Sequence, residues 1–398
     1  MNILFITNKN VNPIIGGIER ITYVLAVGFA ELHGHRCFSA FTQRLDNITT
    51  PFEKELLLES GRETEMLADF IRENGIEVVI AQGSDAAVNA IVGQIHDAVA
   101  SVAGCKMIFV FHNMPGFEYT KMSMDVLCYR IMHGQDVVYN LKYLAFQTFQ
   151  TLLRPLINKQ MHGKYLPAYN AADKVVLLTE GFIPGYARCA GVPVDDKFCA
   201  ISNALTFTDR FPIEQYDEEK RNEVLWVGRF DDKHKRLSEA IHIWKMVEEE
   251  GRFPNWKLRV VGYGPDEGYY HKLVKRLKLQ NVSFEGKTES RPFYRSASLY
   301  MMTSAFEGFG LVITEALQSA AVPLAYDTFA SLHDIIVDGH NGYIIEDKDR
   351  RAYADRLQLL MADADLRRNL AQQGLTFIDK FSTENITKQW NQLFSSLR

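Results

Sequence analysis

Two carboxylates eight residues apart frame the stretch Glu307-Gly-Phe-Gly-Leu-Val-Ile-Thr-Glu315. The run Ser298–Thr303 before it reads as a buried strand, and Leu311–Ser319 has helical apolar spacing. Glu307 therefore belongs to a strand-to-helix loop, and Glu315 sits about one turn into the helix. In an open α/β sheet such a loop lies outside the carboxyl end of a strand, where ligands bind, and the N–H groups of the helix start attract phosphate. A carboxylate would repel that phosphate unless it holds something else. Ribose and sugar hydroxyls fit, which points to a nucleotide-sugar. The plainer alternative is a first-turn glutamate favoured by the helix dipole together with a solvated loop acid.

Cations placed at the same sheet edge favour the first reading. Val227-Gly-Arg-Phe-Asp-Asp-Lys-His-Lys-Arg236 follows a second buried strand and delivers Arg229 and Lys235. Arginine offers phosphate two parallel N–H donors and lysine a mobile point charge. A diphosphate that accumulates charge as a glycosidic bond breaks needs both. Lys233, His234 and Arg236 read as a solvated helix start. Gly16-Gly17, between the first strand and first helix, allows close backbone approach to a ligand. The G-x-G-x-x-G pattern is missing there, which disfavours nicotinamide. His112, at the end of the strand Ile108–Phe111, is placed to hydrogen-bond a sugar hydroxyl or to serve as a structural histidine. Asp347-Lys-Asp349 and Asp363-Ala-Asp365 superficially match a metal-holding D-x-D. At helix starts they read as N-caps, so metal-independent turnover is expected.

The elements that position these residues alternate strand and helix almost throughout, as in parallel sheets covered by helices. Strands are predicted at Ile3–Thr7, Glu77–Ala81, Met107–His112 and Lys174–Thr179, then at Val224–Val227, Leu258–Val261, Val282–Glu285, Leu299–Met302, Pro323–Tyr326 and Tyr343–Ile345. The polar stretch Asp209–Arg221 reads as an interdomain linker. At 398 residues and 47% hydrophobic content, the chain suits two doubly wound domains. A net charge of −5 gives no reason to expect nucleic acid, and five scattered cysteines without a C-x-x-C pair suit a reducing cytoplasm. No apolar run reaches the ~20 residues of a membrane-spanning helix. The start of the chain reads as a first strand and not as a signal peptide.

Residues 117–169 break the rhythm. They are rich in Tyr, Leu, Met and Phe, and Lys121, Arg130, Lys142, Arg154, Lys159 and Lys164 are dispersed through them. Such dispersal favours core helices with solvated lysines over an acceptor pocket or an anionic membrane surface.

Taken in order, Gly16-Gly17-Ile-Glu-Arg20, Gly34-His35, Val175–Glu180, Gly191-Val-Pro193, Ile201-Ser-Asn203, Val227-Gly-Arg229 with Lys235, Gly262-Tyr-Gly-Pro265, Val282–Gly286, Glu307–Glu315 and Gly339-His-Asn-Gly342 resemble the retaining glycosyltransferases of family 4. The resemblance spans nearly the whole chain and is weakest over 117–169. It implies a GT-B fold: an acceptor-side Rossmann-like domain over 1–205 that includes the helical segment 117–169, a nucleotide-sugar domain over 206–380 facing it across a cleft, and a helix over 381–398 crossing back to the first domain.

By the same resemblance Arg229 and Lys235 hold the donor diphosphate, Glu315 the ribose hydroxyls and Glu307 the transferred sugar. The backbone at Phe309, Gly310 and Leu311 meets sugar or phosphate, and Gly286-Lys287 the base. His112 lies near the reacting carbon, and Gly16-Gly17 near donor phosphate and acceptor. The implied reaction moves a hexose-type sugar from a UDP- or GDP-sugar to a glycan or lipid-linked glycan in bacterial-type polysaccharide synthesis, in the cytoplasm or at the inner face of the membrane. It needs no further cofactor. A nucleotide-sugar 2-epimerase or a non-catalytic nucleotide-sugar-binding protein are the alternatives. Two departures fall where the family has glycine: Arg236 after the lysine, and Ser319-Ala-Ala-Val-Pro323 after the glutamate helix.

Overall fold

The computed structural model describes residues 1–14, 16–45, 50–83 and 86–397, which form two compact units, each built on one all-parallel sheet. The first unit comprises Met1–Gly116, Pro155–Thr206 and Lys380–Arg398. Its strands are β1 (Asn2–Lys9), β2 (Arg36–Gln43), β3 (Glu55–Leu57), β4 (Val78–Gly83), β5 (Lys106–Phe111), β6 (Lys174–Leu177) and β7 (Phe198–Ala200), in the order β3-β2-β1-β4-β5-β6-β7. Ile3, Leu4, Phe5 and Ile6 of β1 are all fully buried. Such an unbroken apolar run is what a strand covered on both faces requires. The sequence reading predicts neither β2, where serine and alanine interrupt the apolar run, nor the three-residue edge strands β3 and β7.

The helix Thr383–Ser396 packs on the helix Gly17–His33. Gly28 makes this contact close, since a Cβ there would stand 2.5 Å from the Thr383 methyl. Phe29 meets Trp390 and Phe394 edge-on, and His33 and His35 bond Thr387 (2.9 Å) and Asn391 (2.7 Å).

The second unit comprises Phe117–Arg154 and Phe207–Asp379. Its strands are β8 (Arg221–Val227), β9 (Lys257–Val261), β10 (Val282–Gly286), β11 (Ala297–Met302), β12 (Val322–Tyr326) and β13 (Tyr343–Ile345), in the order β10-β9-β8-β11-β12-β13. Winding reverses between β1 and β4 in the first sheet and between β8 and β11 in the second. These are the topological switch points where open sheets bind ligands.

Two sequence expectations are corrected. Segment 117–169 does not belong wholly to the first unit, because Phe117–Arg154 packs with the second. Met122, Val126, Leu127 and Tyr143 join the apolar core of that unit, and an ion pair that no local pattern reveals pins the segment there: Arg130 donates from Nε and Nη2 to the two oxygens of fully buried Asp266, both at 2.6 Å. The stretch Asp209–Arg221 is not a free linker either. Phe211 and Tyr216 are buried in the core of the second unit, and Arg221 opens β8.

Candidate functional site

Loops following β8 and β11 meet at the switch point of the second sheet. Lys235 Nζ donates to Glu307 Oε1 at 2.5 Å, and His234 Nε2 lies 3.5 Å from Glu307 Oε2. The His234 ring stacks flat on Phe306, 4.3 Å between centroids, and Phe306 in turn meets Phe117. Burial by itself would raise the pKa of Glu307. Lys235 and His234 outweigh it and hold the carboxyl well below the usual range. An ionised carboxylate only accepts hydrogen bonds, so Glu307 is built to receive hydroxyl donors and not to deliver a proton. Lys235 keeps two of its three N–H donors for another oxygen.

Arg236 fixes this geometry. It is not a solvated helix-start residue but is buried, donating from Nε to the Thr303 carbonyl (2.8 Å) and from Nη2 to the Ser304 carbonyl (2.9 Å) and Asp347 (2.8 Å). Its backbone is left-handed at φ 47°, a conformation natural to glycine. Three charge-assisted hydrogen bonds offset that cost and tie the Lys235 loop to the end of β11. Ala320, the other departure from glycine, is also left-handed, at φ 56°.

Arg229 is exposed and paired with Asp231. Asp231 also lies 3.4 Å from Arg130 Nη2, and Asp266 Oδ2 accepts the Asp232 N–H at 2.7 Å. The loop carrying Arg229 is thereby fastened to the helix Met124–Met132 and to the turn after β9. Burial pushes the Asp232 carboxyl up to about 6, against the hydrogen bonds from Ser238 and Tyr270. Close approach of the two turns needs glycine, because a Cβ at Gly262 would stand 1.9 Å from the Gly228 carbonyl oxygen.

The remaining residues anticipated in this unit occupy the same sheet edge. Glu315 is buried within the helix Leu311–Gln318, whose N-cap is Gly310 at φ 97°. The Phe309 side chain is buried, and Ser331 Oγ donates to the Gly308 and Phe309 carbonyls, shaping the loop ahead of Leu311. Gly286 ends β10 at φ 70°, and Lys287 Nζ lies 4.9 Å from the centre of the Tyr263 ring. Asp349 and Asp363 are N-caps, accepting from Ala352 and Leu366, and Asp347 pairs with Arg236.

In the first unit, His112 follows β5 and its Nε2 bonds the Gln82 amide oxygen at the end of β4. Burial pushes its pKa down to about 4, so the ring is neutral near pH 7. Gly16, at φ 80°, precedes the helix opened by Gly17, and a Cβ on Gly16 would strike the Glu19 carboxylate. Thus the structure joins Lys235 to Glu307, leaves Arg229 on Asp231, and places His112, Gly16 and Gly17 in the other unit. Sequence reasoning missed His234, Phe306, Asp231, Asp266 and Arg130. Only Arg236 left a signal, as a non-glycine where the resemblance leads one to expect glycine.

Residues 209–376 match the family model described as Glycosyl transferases group 1. The chain is 28% identical to the amylovoran biosynthesis glycosyltransferase AmsD of Erwinia amylovora, over 64% of this chain and 68% of that protein. It is 26% identical to an alpha-1,4-N-acetyl-D-galactosaminyltransferase of Campylobacter jejuni that acts on a diNAcBac-PP-undecaprenol-linked glycan, over 50% of this chain and only 53% of that protein. A crystal structure of Anabaena HepE in complex with UDP-glucose superposes with a TM-score of 0.73 at 14% identity, covering 100% of both chains. Residues 209–376 therefore match the group 1 glycosyl transferases, and the two parallel-sheet units have the GT-B fold.

Proposed function

We propose that the chain is a retaining glycosyltransferase of the family 4 type. It transfers a hexose-type sugar from a UDP- or GDP-sugar to a glycan or lipid-linked glycan during synthesis of a bacterial surface polysaccharide, in the cytoplasm or at the inner face of the membrane. The observation that carries the reading is the Lys235–Glu307 pair with His234, set at the topological switch point beside Arg229.

In this reading Lys235 and Arg229 take the donor diphosphate, which requires Arg229 to leave Asp231. Glu307 accepts from the sugar hydroxyls and Glu315 from the ribose. The backbone of Phe309, Gly310 and Leu311 lines sugar or phosphate, and Gly286-Lys287 lies at the base. His112, as a neutral ring, serves the reacting sugar, and Gly16-Gly17 the phosphate and acceptor. The bond from the anomeric carbon to the phosphate oxygen breaks as the acceptor oxygen bonds the same face. The departing phosphate takes the acceptor proton, and its growing charge falls on fixed cations. Neither a protein nucleophile nor a divalent ion is invoked.

The test is incubation with a panel of UDP- and GDP-sugars plus glycan acceptors, following release of nucleoside diphosphate. Donor binding and turnover that survive Lys235→Ala, Glu307→Ala and Arg229→Ala unchanged would sink the assignment. Conversion of donor without acceptor would indicate an epimerase instead.

A further inference from the structure

The helix Val137–Thr148, in the second unit, carries an outward apolar stripe in addition to Tyr143, Leu144 and Phe146, which pack on the core. Its buried positions are Asn140, Tyr143 and Gln147, at i, i+3 and i+7. They bond their own segment: Asn140 Nδ2 to the Gln135 carbonyl (2.6 Å), Tyr143 Oη to the Thr120 carbonyl (2.9 Å), and Gln147 Oε1 from the Met122 N–H (3.3 Å). The opposite stripe is Val138, Leu141, Lys142, Ala145 and Phe149, at i, i+3, i+4, i+7 and i+11, and all five face solvent. A soluble helix that packs one side on a core ordinarily keeps the opposite face polar. Seven of the sixteen large apolar side chains exposed by the described residues fall between Met124 and Leu152, with Leu152 78% and Val138 67% exposed. The expectation of core helices with solvated lysines holds for the inner side, where Val126, Leu127 and Tyr143 join the core of the second unit and Lys142 is exposed, but it does not foresee the outward apolar stripe.

We propose that this stripe docks on the surface of an anionic lipid bilayer. The charge pattern selects that occupant. From Val137 to Arg154 there is no acidic residue, and the only charges are Lys142, inside the stripe, and Arg154. The nearest acid, Asp136, precedes the helix. An apolar face with a lysine that can extend to the headgroups is the pattern of an interfacial helix. Docking on a second copy through the same face would set Lys142 against its own equivalent in an apolar contact, which disfavours a symmetric dimer.

The stripe is also firmly mounted. Tyr143, on the buried side, carries Lys233 over its ring at 4.7 Å, and Arg130 of the preceding helix is locked to Asp266. Membrane contact would thus be made by a segment bolted to the loop that carries Arg229 and Lys235. The inference draws on the proposed function only for why a bilayer would matter, namely a lipid-borne acceptor.

Flotation of the full chain with phosphatidylglycerol/phosphatidylcholine vesicles, and with phosphatidylcholine alone, tests it without turnover. Retention is expected on the anionic vesicles and should fall with added salt. Leu141→Ser with Phe149→Ser should weaken it roughly tenfold or more. Lys142→Glu, which leaves the apolar stripe and the fold intact, should weaken it about fivefold on anionic vesicles alone. Absence of retention, or retention untouched by both variants, overturns the proposal. So does a concentration-dependent dimer that the serine pair dissolves. Thermal shifts with UDP and GDP on the same samples report the nucleotide site separately, so failure of one reading is distinguishable from failure of the other.

Discussion

The two switch points share a topology and differ in chemistry. In the first unit the loops after β1 and β5 present glycines and a histidine kept neutral by burial and bonded to an amide. In the second, the loops after β8 and β11 take part in an ionic cluster: Lys235 with Glu307, Arg236 with Asp347 after β13, Arg229 with Asp231, and Arg130 of the helix Met124–Met132 with Asp266 after β9. Backbone strain follows the same division. All five described non-glycine residues with left-handed φ (Asp136, Arg236, Lys278, Ala320 and Lys348) lie in the second unit, and the first uses glycine at such positions. Strain is tolerated where charge-assisted hydrogen bonds over-determine the backbone, as at Arg236. One fold thus carries glycines and a neutral histidine at one switch point and paired cations and carboxylates at the other.

The largest expected effect breaks the ionic side. Lys235→Ala should lower kcat by roughly a thousandfold, in line with losing a donor aimed at developing charge. Steady-state kinetics with the donor identified by the panel checks this, and a loss confined to KM would mean that Lys235 only binds. Next, Arg130→Met leaves fully buried Asp266 without its counter-charge and should destabilise the chain by about 3 kcal/mol. Urea unfolding reads the loss, and Arg130→Met with Asp266→Leu should recover part of it.

Acid sharpens the contrast. His112 titrates near 6.5 when unfolded and about 4 when folded, so its contribution is complete above the unfolded value and fades as pH falls toward 4. The full amount is about 3 kcal/mol at most. Asp232 runs the other way. Its folded pKa of about 6 exceeds the unfolded value, so the folded state holds the proton more tightly and gains stability as pH falls through the same window. Relative to the parent chain, His112→Gln should therefore gain stability on acidification, whereas Asp232→Asn should lose part of the acid-induced gain. Unfolding curves at several pH values in which both variants shifted in the same direction would contradict this.

The smallest effects concern strain. Arg236→Gly should destabilise by about 1–2 kcal/mol, because relief of the backbone does not replace three charge-assisted bonds. Lys278→Gly, at an exposed helix end, should instead stabilise by roughly 0.5–1 kcal/mol. Stabilisation by both variants in thermal melts would show that the guanidinium bonds do not offset the strain.

Much of this was legible beforehand. The ten predicted strands all exist, most because buried parallel strands leave apolar runs that need no partner to be recognised, while half-buried β10 (Val-Ser-Phe-Glu-Gly) shows alternation instead. Glu307 and Lys235 were legible as residues of the loops that follow such strands. That they touch was not, since 72 residues separate them and only the adjacency of β8 and β11 brings them together. The edge strands β3 and β7 escaped because three residues without a β-branched side chain carry too little pattern, whereas the equally short β13 reads Tyr-Ile-Ile.

The sequence by itself determined the alternation of strand and helix, the restart of the pattern in a second unit, and which residue types stand at the strand ends, all of which are local periodicity and turn chemistry. Tertiary structure alone decided which unit received Phe117–Arg154, what holds Arg236 in a glycine conformation, and which way the helix Val137–Thr148 faces. Each of these depends on a charge or a surface supplied from far along the chain: Asp266 for Arg130, Thr303 and Ser304 for Arg236. Helical periodicity states that a helix has two faces, and only packing chooses the one turned to water.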